Sequence, residues 1–69
     1  MKILFIDKVH PLLKERLEDK GFKCTEEYSE TKKEIEKTIY LYDGIIIRSR
    51  FELDKHFLDK ATKLKFIAR

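Results

Sequence analysis

The sequence predicts an α/β domain whose strands form a parallel sheet. Two short apolar runs, residues 3–6 and 45–47, have the composition of strands that are buried on both faces. Stretches with the apolar spacing of helices separate these runs from two further strand-like segments. Strands that alternate with helices over short connections are typical of parallel sheets. We therefore expect the order β-α-β-α-β-α-β, with the helices packed on the faces of the sheet.

The first half of the chain predicts a strand, a helix and a second strand. After the strand at 3–6, Pro11 suits the first turn of a helix, and Gly21 suits the position just beyond its end. Residues 22–25 alternate apolar and polar side chains, which indicates a more peripheral strand. The apolar stripe of the helix is expected to consist of Leu12, Leu13 and Leu17.

The second half predicts two helices that flank the strand at 45–47, and a final strand at 64–68. Ser29 is a plausible cap for the first of these helices, and Thr31 with Glu34 offers a competing capping box. Asp54 is expected to cap the second. The apolar positions of the first helix are Ile35, Ile39 and Tyr42. Those of the second are Phe57, Leu58 and Ala61, with Phe51 and Leu53 packed at its entry.

The predicted strand order is 2-1-3-4, a flavodoxin-like start, because the first and third strands are the most apolar and belong in the middle. Right-handed crossovers leave few other choices. No helix follows the fourth strand to cover that edge of the sheet, and an uncovered edge is a liability. We therefore expect an incomplete domain that belongs to a larger chain.

Composition excludes several classes of protein. A chain of 69 residues forms at most one small domain, and such a domain buries only about 60% of its unfolded surface. The 16 Lys and Arg residues alternate with 13 Asp and Glu residues, which indicates solvated helix faces rather than a nucleic-acid surface. The single cysteine, Cys24, permits no internal disulfide and is expected to pack, and no Cys/His cluster suggests a metal. No apolar run is long enough for a membrane span, and we expect a cytoplasmic protein.

The candidate site is the segment Arg48-Ser49-Arg50, which directly follows the third strand. Ligands of open α/β sheets bind outside the carboxyl ends of the strands. Two arginines that flank a serine in an extended segment point to the same side, where they can hold a carboxylate or phosphate. The alternative is that one arginine pairs with a local acid such as Glu52 or Asp54.

Asp7 follows the first strand at the same predicted edge of the sheet. In receiver domains this position holds an acidic metal ligand, but a receiver also needs an aspartate after its third strand, where Arg48 stands here. Phosphotransfer is therefore disfavoured. We expect Asp7 to cap a loop or to pair with Lys8 or with an arginine.

Four segments resemble the D-isomer-specific 2-hydroxyacid dehydrogenase family. They are Asp7-Lys8, Gly21-Phe22, residues 42–50 and residues 63–69. The most specific of them are the Arg-Ser-Arg segment and the terminal Leu-Lys-Phe-Ile-Ala-Arg. Within the family, the chain is most similar to the members that oxidise 3-phosphoglycerate to 3-phosphohydroxypyruvate in serine biosynthesis.

The resemblance implies that residues 1–69 are the N-terminal part of the substrate-binding (catalytic) domain of an NAD-dependent enzyme. It implies that Arg48, Ser49, Arg50 and Arg69 contact a small anionic substrate, a phosphorylated 2-hydroxy acid. The catalytic residues and the glycine-rich NAD-binding loop of the family have no counterpart here, so the fragment alone is expected to be inactive. The expected partners are the rest of the enzyme chain and further copies in a homo-oligomer, with no nucleic acid and no membrane.

Two other functions fit the residues alone. The chain could be a stand-alone, flavodoxin-like module that binds small phosphorylated ligands without catalysis. It could also be an assembly element whose open fourth strand pairs with a second copy. Only the assembly element requires a dimer for folding.

Overall fold

The computed structural model describes residues 1–69 as four parallel strands with helices on both faces of the sheet. The strands are β1 Lys2–Phe5, β2 Lys23–Glu26, β3 Gly44–Ile46 and β4 Phe66–Ala68. The helices are α1 Pro11–Asp19, α2 Lys32–Glu36 and α3 Lys55–Lys60, and a 3₁₀ turn spans Ile39–Leu41. The strand order is β2-β1-β3-β4. The predicted fold class, parallel sheet and strand order are confirmed, with strand bounds that differ by one or two residues.

The larger part of the core lies between the sheet and the elements α2, the 3₁₀ turn and α3. Successive side chains of a strand point to opposite faces, so alternate residues of β1 and β3 reach this side. The eight buried residues of this cluster are Leu4, Ile6, Ile35, Ile39, Ile45, Ile47, Phe57 and Ala61. Phe51 and Leu53 pack against the cluster, as the sequence predicts for the entry to α3. The Asp54 side chain caps α3 by accepting a hydrogen bond from the Phe57 amide at 2.9 Å.

The opposite face, covered by α1, has a smaller core made of Ile3, Phe5 and Ile46. Leu17 packs against it, but Leu12 and Leu13 are 44% and 37% exposed, so the predicted three-leucine stripe is wrong for these two. On the other face Leu58 is also exposed, although it was predicted as a core position of α3. Both errors have one cause. A short helix that touches a sheet along one line buries fewer positions than its apolar spacing offers.

The predicted second helix breaks into α2 and the 3₁₀ turn. Thr31 caps α2 in a capping box with Glu34, so this capping signal prevails over Ser29. The Thr38 hydroxyl donates a hydrogen bond to the Ile35 carbonyl, which in a continued α-helix would accept the Ile39 amide. The Thr38 amide also donates to this carbonyl at 3.0 Å, the i→i+3 bond of 3₁₀ geometry, and both isoleucines still reach the core.

Two contacts set the start of β3 against β1 and β4. The buried Asp43 exchanges hydrogen bonds with Lys2, since its carboxylate accepts from the Lys2 amide at 2.8 Å and its own amide donates to the Lys2 carbonyl at 2.8 Å. Gly44 lies under the ring of Phe66, where a β-carbon would overlap the ring. Glycine is therefore required for this close approach of β4.

No helix combines the length and the apolar character that a membrane crossing needs.

Candidate anion-binding groove

An open groove of about 430 Å³ lies at the carboxyl edge of the sheet, where β1, β2 and β3 end. Parallel pairing places Phe5 of β1 beside Ile46 of β3 and beside Glu26 of β2, so the residues after these strands converge. The seven lining residues are Ile6, Asp7, Lys8, Tyr28, Arg48, Ser49 and Arg50. We call this site the edge groove. It contains the whole predicted Arg-Ser-Arg segment.

Asp7 holds the backbone of that segment in place. Its Oδ2 atom accepts hydrogen bonds from the backbone amides of Arg48, Ser49 and Arg50 at 2.6, 3.0 and 3.1 Å. Partial burial raises the pKa of Asp7, but these three hydrogen bonds and the Arg50 charge outweigh it and hold the pKa below the ordinary value of 3.8. The expectation that Asp7 caps a loop is confirmed, and the loop that it caps is the candidate site.

Arg50 binds backbone carbonyls with its guanidinium group. Nη1 donates to the carbonyls of Ile6 and Glu27 at 3.1 and 2.6 Å, and Nη2 donates to the carbonyl of Glu30. The side chain therefore joins the end of β1 to the connection between β2 and α2. Three of the five N–H donors of this guanidinium are used in these bonds. The sequence left open that an arginine pairs with Glu52 or Asp54. Neither pair forms, because Asp54 pairs with Lys32, and Glu52 forms no ion pair.

Arg48 and Ser49 are exposed at the mouth of the edge groove. Their backbone amides are held by Asp7, whereas neither side chain makes a hydrogen bond within the chain. Arg48 also takes no part in any of the four ion pairs. The Arg48 guanidinium therefore has no partner although its backbone is fixed, and the neighbouring Ser49 hydroxyl has no partner either.

Lys8 and Tyr28 line the edge groove but were not predicted as site residues. The Lys8 Nζ atom lies 5.8 Å from the centroid of the Tyr28 ring. The Tyr28 hydroxyl donates to Oε2 of Glu26 at 2.8 Å, and burial together with this bond raises the pKa of Tyr28 to about 12. Lys8 follows the end of β1 and Tyr28 follows the end of β2. The strand-end rule that pointed to Arg48 would have found both, had it been applied to the first two strands.

Arg69, His10 and Cys24 lie outside the edge groove. Arg69 follows β4 at the same edge of the sheet, is exposed and does not line the groove. His10 caps α1, where its Nδ1 atom accepts the Leu12 amide at 3.1 Å. Burial raises the pKa of the Cys24 thiol, as fits a residue that packs on the sheet.

The lining of the edge groove carries three cations and one carboxylate. Three amides already bind that carboxylate, so the groove presents positive charge to a ligand. Hydrogen bonds between ionised partners are stronger than neutral ones, which favours a carboxylate or a phosphate over a neutral ligand. The lining residues can bind and orient an anion, and no histidine is among them.

A family model described as D-isomer specific 2-hydroxyacid dehydrogenase, catalytic domain, matches residues 3–69. The match includes every lining residue of the edge groove and all of the predicted site residues. A comparison with curated proteins finds none that matches.

Proposed function

The chain belongs to the D-isomer specific 2-hydroxyacid dehydrogenase family, and on that basis we propose that it binds the substrate of an NAD-dependent dehydrogenase. Proteins of this family are oxidoreductases. In our proposal, residues 1–69 are part of the catalytic domain of a longer enzyme. Their task is to bind and orient an anionic 2-hydroxy acid, while other parts of that enzyme supply the reacting groups.

The observation that carries the proposal is the unpartnered Arg48 side chain on a backbone fixed by Asp7. A guanidinium can bind a carboxylate through two parallel hydrogen bonds, and the Ser49 hydroxyl can add a third donor. Because the backbone is held beforehand, binding needs to order only the side chains. We propose Arg48 and Ser49 as the principal contacts to the substrate.

Arg50 and Arg69 have supporting roles in this proposal. Arg50 lines the edge groove and contributes its charge, while its guanidinium keeps the surrounding carbonyls in place. Arg69 follows the neighbouring strand β4 at the same edge and would approach the substrate from beyond the groove. The family resemblance covers the segments 42–50 and 63–69, and we use it here to assign roles to the side chains of Arg50 and Arg69.

For the substrate we propose 3-phosphoglycerate, which would make the whole enzyme a D-3-phosphoglycerate dehydrogenase of serine biosynthesis. Two features support this choice. The edge groove has more cationic groups than one carboxylate requires, and 3-phosphoglycerate carries a phosphate as well as a carboxylate. The resemblance of the Arg-Ser-Arg segment points to the same members of the family.

In our proposal NAD, the cofactor that would accept the hydride, binds outside residues 1–69. Dinucleotide sites need glycines at a strand-to-helix turn, where the backbone approaches the pyrophosphate. Gly21 lies instead after α1, at φ 90°, and Gly44 begins β3 under the ring of Phe66. We therefore place NAD binding in residues outside 1–69 and assign no step of hydride transfer to this chain.

The test is NADH formation by the purified full-length gene product. We expect NAD⁺ to be reduced with D-3-phosphoglycerate, and much less with D-lactate or D-glycerate. Reduction with another 2-hydroxy acid only would refute the choice of substrate and keep the dehydrogenase. No reduction with any 2-hydroxy acid would refute the proposed function.

A further inference from the structure

We propose that Lys8 is a specificity-determining residue that binds the second anionic group, the phosphate, of the substrate. The inference rests on the proposed function, since it takes the ligand of the edge groove to be a phosphorylated 2-hydroxy acid. It assigns to Lys8 the role that the sequence suggested for the second arginine. Arg48 binds one end of the ligand, and Lys8 binds the other.

The first support is that Arg50 is already engaged. Its guanidinium donates to three backbone carbonyls from two separate segments. To turn toward a ligand it would have to leave these carbonyls without a donor, at a cost that the new contact would have to repay. Of the three cations that line the edge groove, Lys8 and Arg48 are the two whose charged groups make no hydrogen bond within the chain, so all of their donors are available to a ligand.

The second support is that Lys8 has no anionic partner in the chain. It takes part in none of the four ion pairs and makes no side-chain hydrogen bond. Glu26 on the neighbouring strand binds other groups instead: Oε1 accepts from Lys14 at 2.8 Å, and Oε2 accepts from Tyr28 at 2.8 Å. The Asp7 carboxylate is bound by three amides. An incoming anion is thus the partner that the Lys8 ammonium lacks.

The third support is that the ammonium group is positioned. Its Nζ atom lies 5.8 Å from the centroid of the Tyr28 ring, within the range of a cation–π contact. The ring is held in turn by the hydrogen bond from its hydroxyl to Glu26. The backbone of Lys8 follows directly on Asp7, the residue that anchors Arg48. Lys8 and Arg48 follow different strands, and both lie at the edge groove. The Tyr28 ring positions the Lys8 ammonium, and Asp7 fixes the backbone of Arg48.

A solvated lysine on a loop is the simpler alternative, and a binding experiment separates the two. Calorimetry on the full-length protein measures the affinity for D-3-phosphoglycerate of the wild type and of Lys8→Met, Lys8→Arg and Lys23→Met. Lys23 is an exposed lysine at the amino end of β2, the opposite edge of the sheet, and serves as the matched control for loss of one charge.

We expect Lys8→Met to weaken binding about tenfold, which corresponds to about 1.4 kcal/mol. Lys8→Arg should stay within about threefold of the wild type because it keeps the charge, and Lys23→Met should match the wild type. Equal affinity of Lys8→Met and the wild type would overturn the inference. So would an equal loss in Lys8→Met and Lys8→Arg, or a wild type that does not bind the ligand.

Turnover distinguishes this inference from the proposed function. If binding depends on Lys8 but no NADH forms with any 2-hydroxy acid, the dehydrogenase proposal fails while the anion contact remains. If NADH forms and binding does not depend on Lys8, the dehydrogenase proposal remains and the Lys8 assignment fails.

Discussion

Replacing Asp7 tests whether the edge groove is formed before a ligand arrives. In Asp7→Ala the amides of Arg48, Ser49 and Arg50 lose the carboxylate that binds them at 2.6 to 3.1 Å. Hydrogen bonds to charged groups contribute about 1.5 to 3 kcal/mol each. Water can reach this partly exposed loop and replace much of that, so we take about 2 kcal/mol for all three together. The loop should then open about 30 times more often.

Amide hydrogen exchange in the full-length protein measures that opening directly. The protection of residues 48–50 should fall about 30-fold in Asp7→Ala and much less in the core strand β3. Asp19→Ala, which removes an exposed acid that makes no hydrogen bond, is the matched control and should leave protection unchanged. Unchanged protection of residues 48–50 in Asp7→Ala would refute the reasoning.

The contribution of Asp7 also has a defined dependence on pH. Its pKa is lowered in the folded chain, so the folded state favours the charged carboxylate. The stabilisation is therefore fully present above the ordinary value of 3.8 and is lost as the pH falls through the folded pKa. Wild type and Asp7→Asn should become equally stable at that acidic end. A difference that persists there would contradict the role of the charge.

Three further substitutions separate structural residues from binding residues, each measured by thermal unfolding of the full-length protein. Arg50→Ala should lower the free energy of unfolding by about 2 kcal/mol because three carbonyls lose their donor, whereas Arg48→Ala should leave it unchanged. Equal stability of the two variants would contradict the assignment. Gly44→Ala should cost about 1 to 3 kcal/mol, since its β-carbon meets the Phe66 ring, and a neutral result would mean that the ring moves aside freely. Thr31→Ala should cost about 1 kcal/mol through loss of the capping box, and Thr31→Ser should restore most of it.

The fold was predictable because its signals are local. The apolar runs at β1 and β3 identify central strands, and Pro11 and Asp54 identify helix starts, whereas Ser29 and Thr31 competed for the start of α2. The break at Thr38 was not predicted, because it depends on which backbone amide donates to the Ile35 carbonyl. The spacing of apolar residues is the same in an α-helix and in this α-helix followed by a 3₁₀ turn, so the pattern does not distinguish them.

The candidate site was predictable in position and less so in detail. The strand-end rule placed the Arg-Ser-Arg segment at the edge groove. The different environments of Arg48 and Arg50 depend on where the carbonyls of Glu27 and Glu30 lie, which is set by a connection distant in sequence. Lys8 likewise gains its place from the Tyr28 ring, brought beside it by the pairing of β1 with β2.

The most direct test of the central claim is the steady-state kinetics of Arg48→Ala in the full-length enzyme. Loss of a charged hydrogen-bonding partner costs about 1.5 to 3 kcal/mol, so the KM for D-3-phosphoglycerate should rise roughly 10- to 150-fold while the KM for NAD⁺ stays near that of the wild type. That split would support the edge groove as the substrate site. Unchanged kinetics for 3-phosphoglycerate, or an equal rise in both KM values, would contradict it.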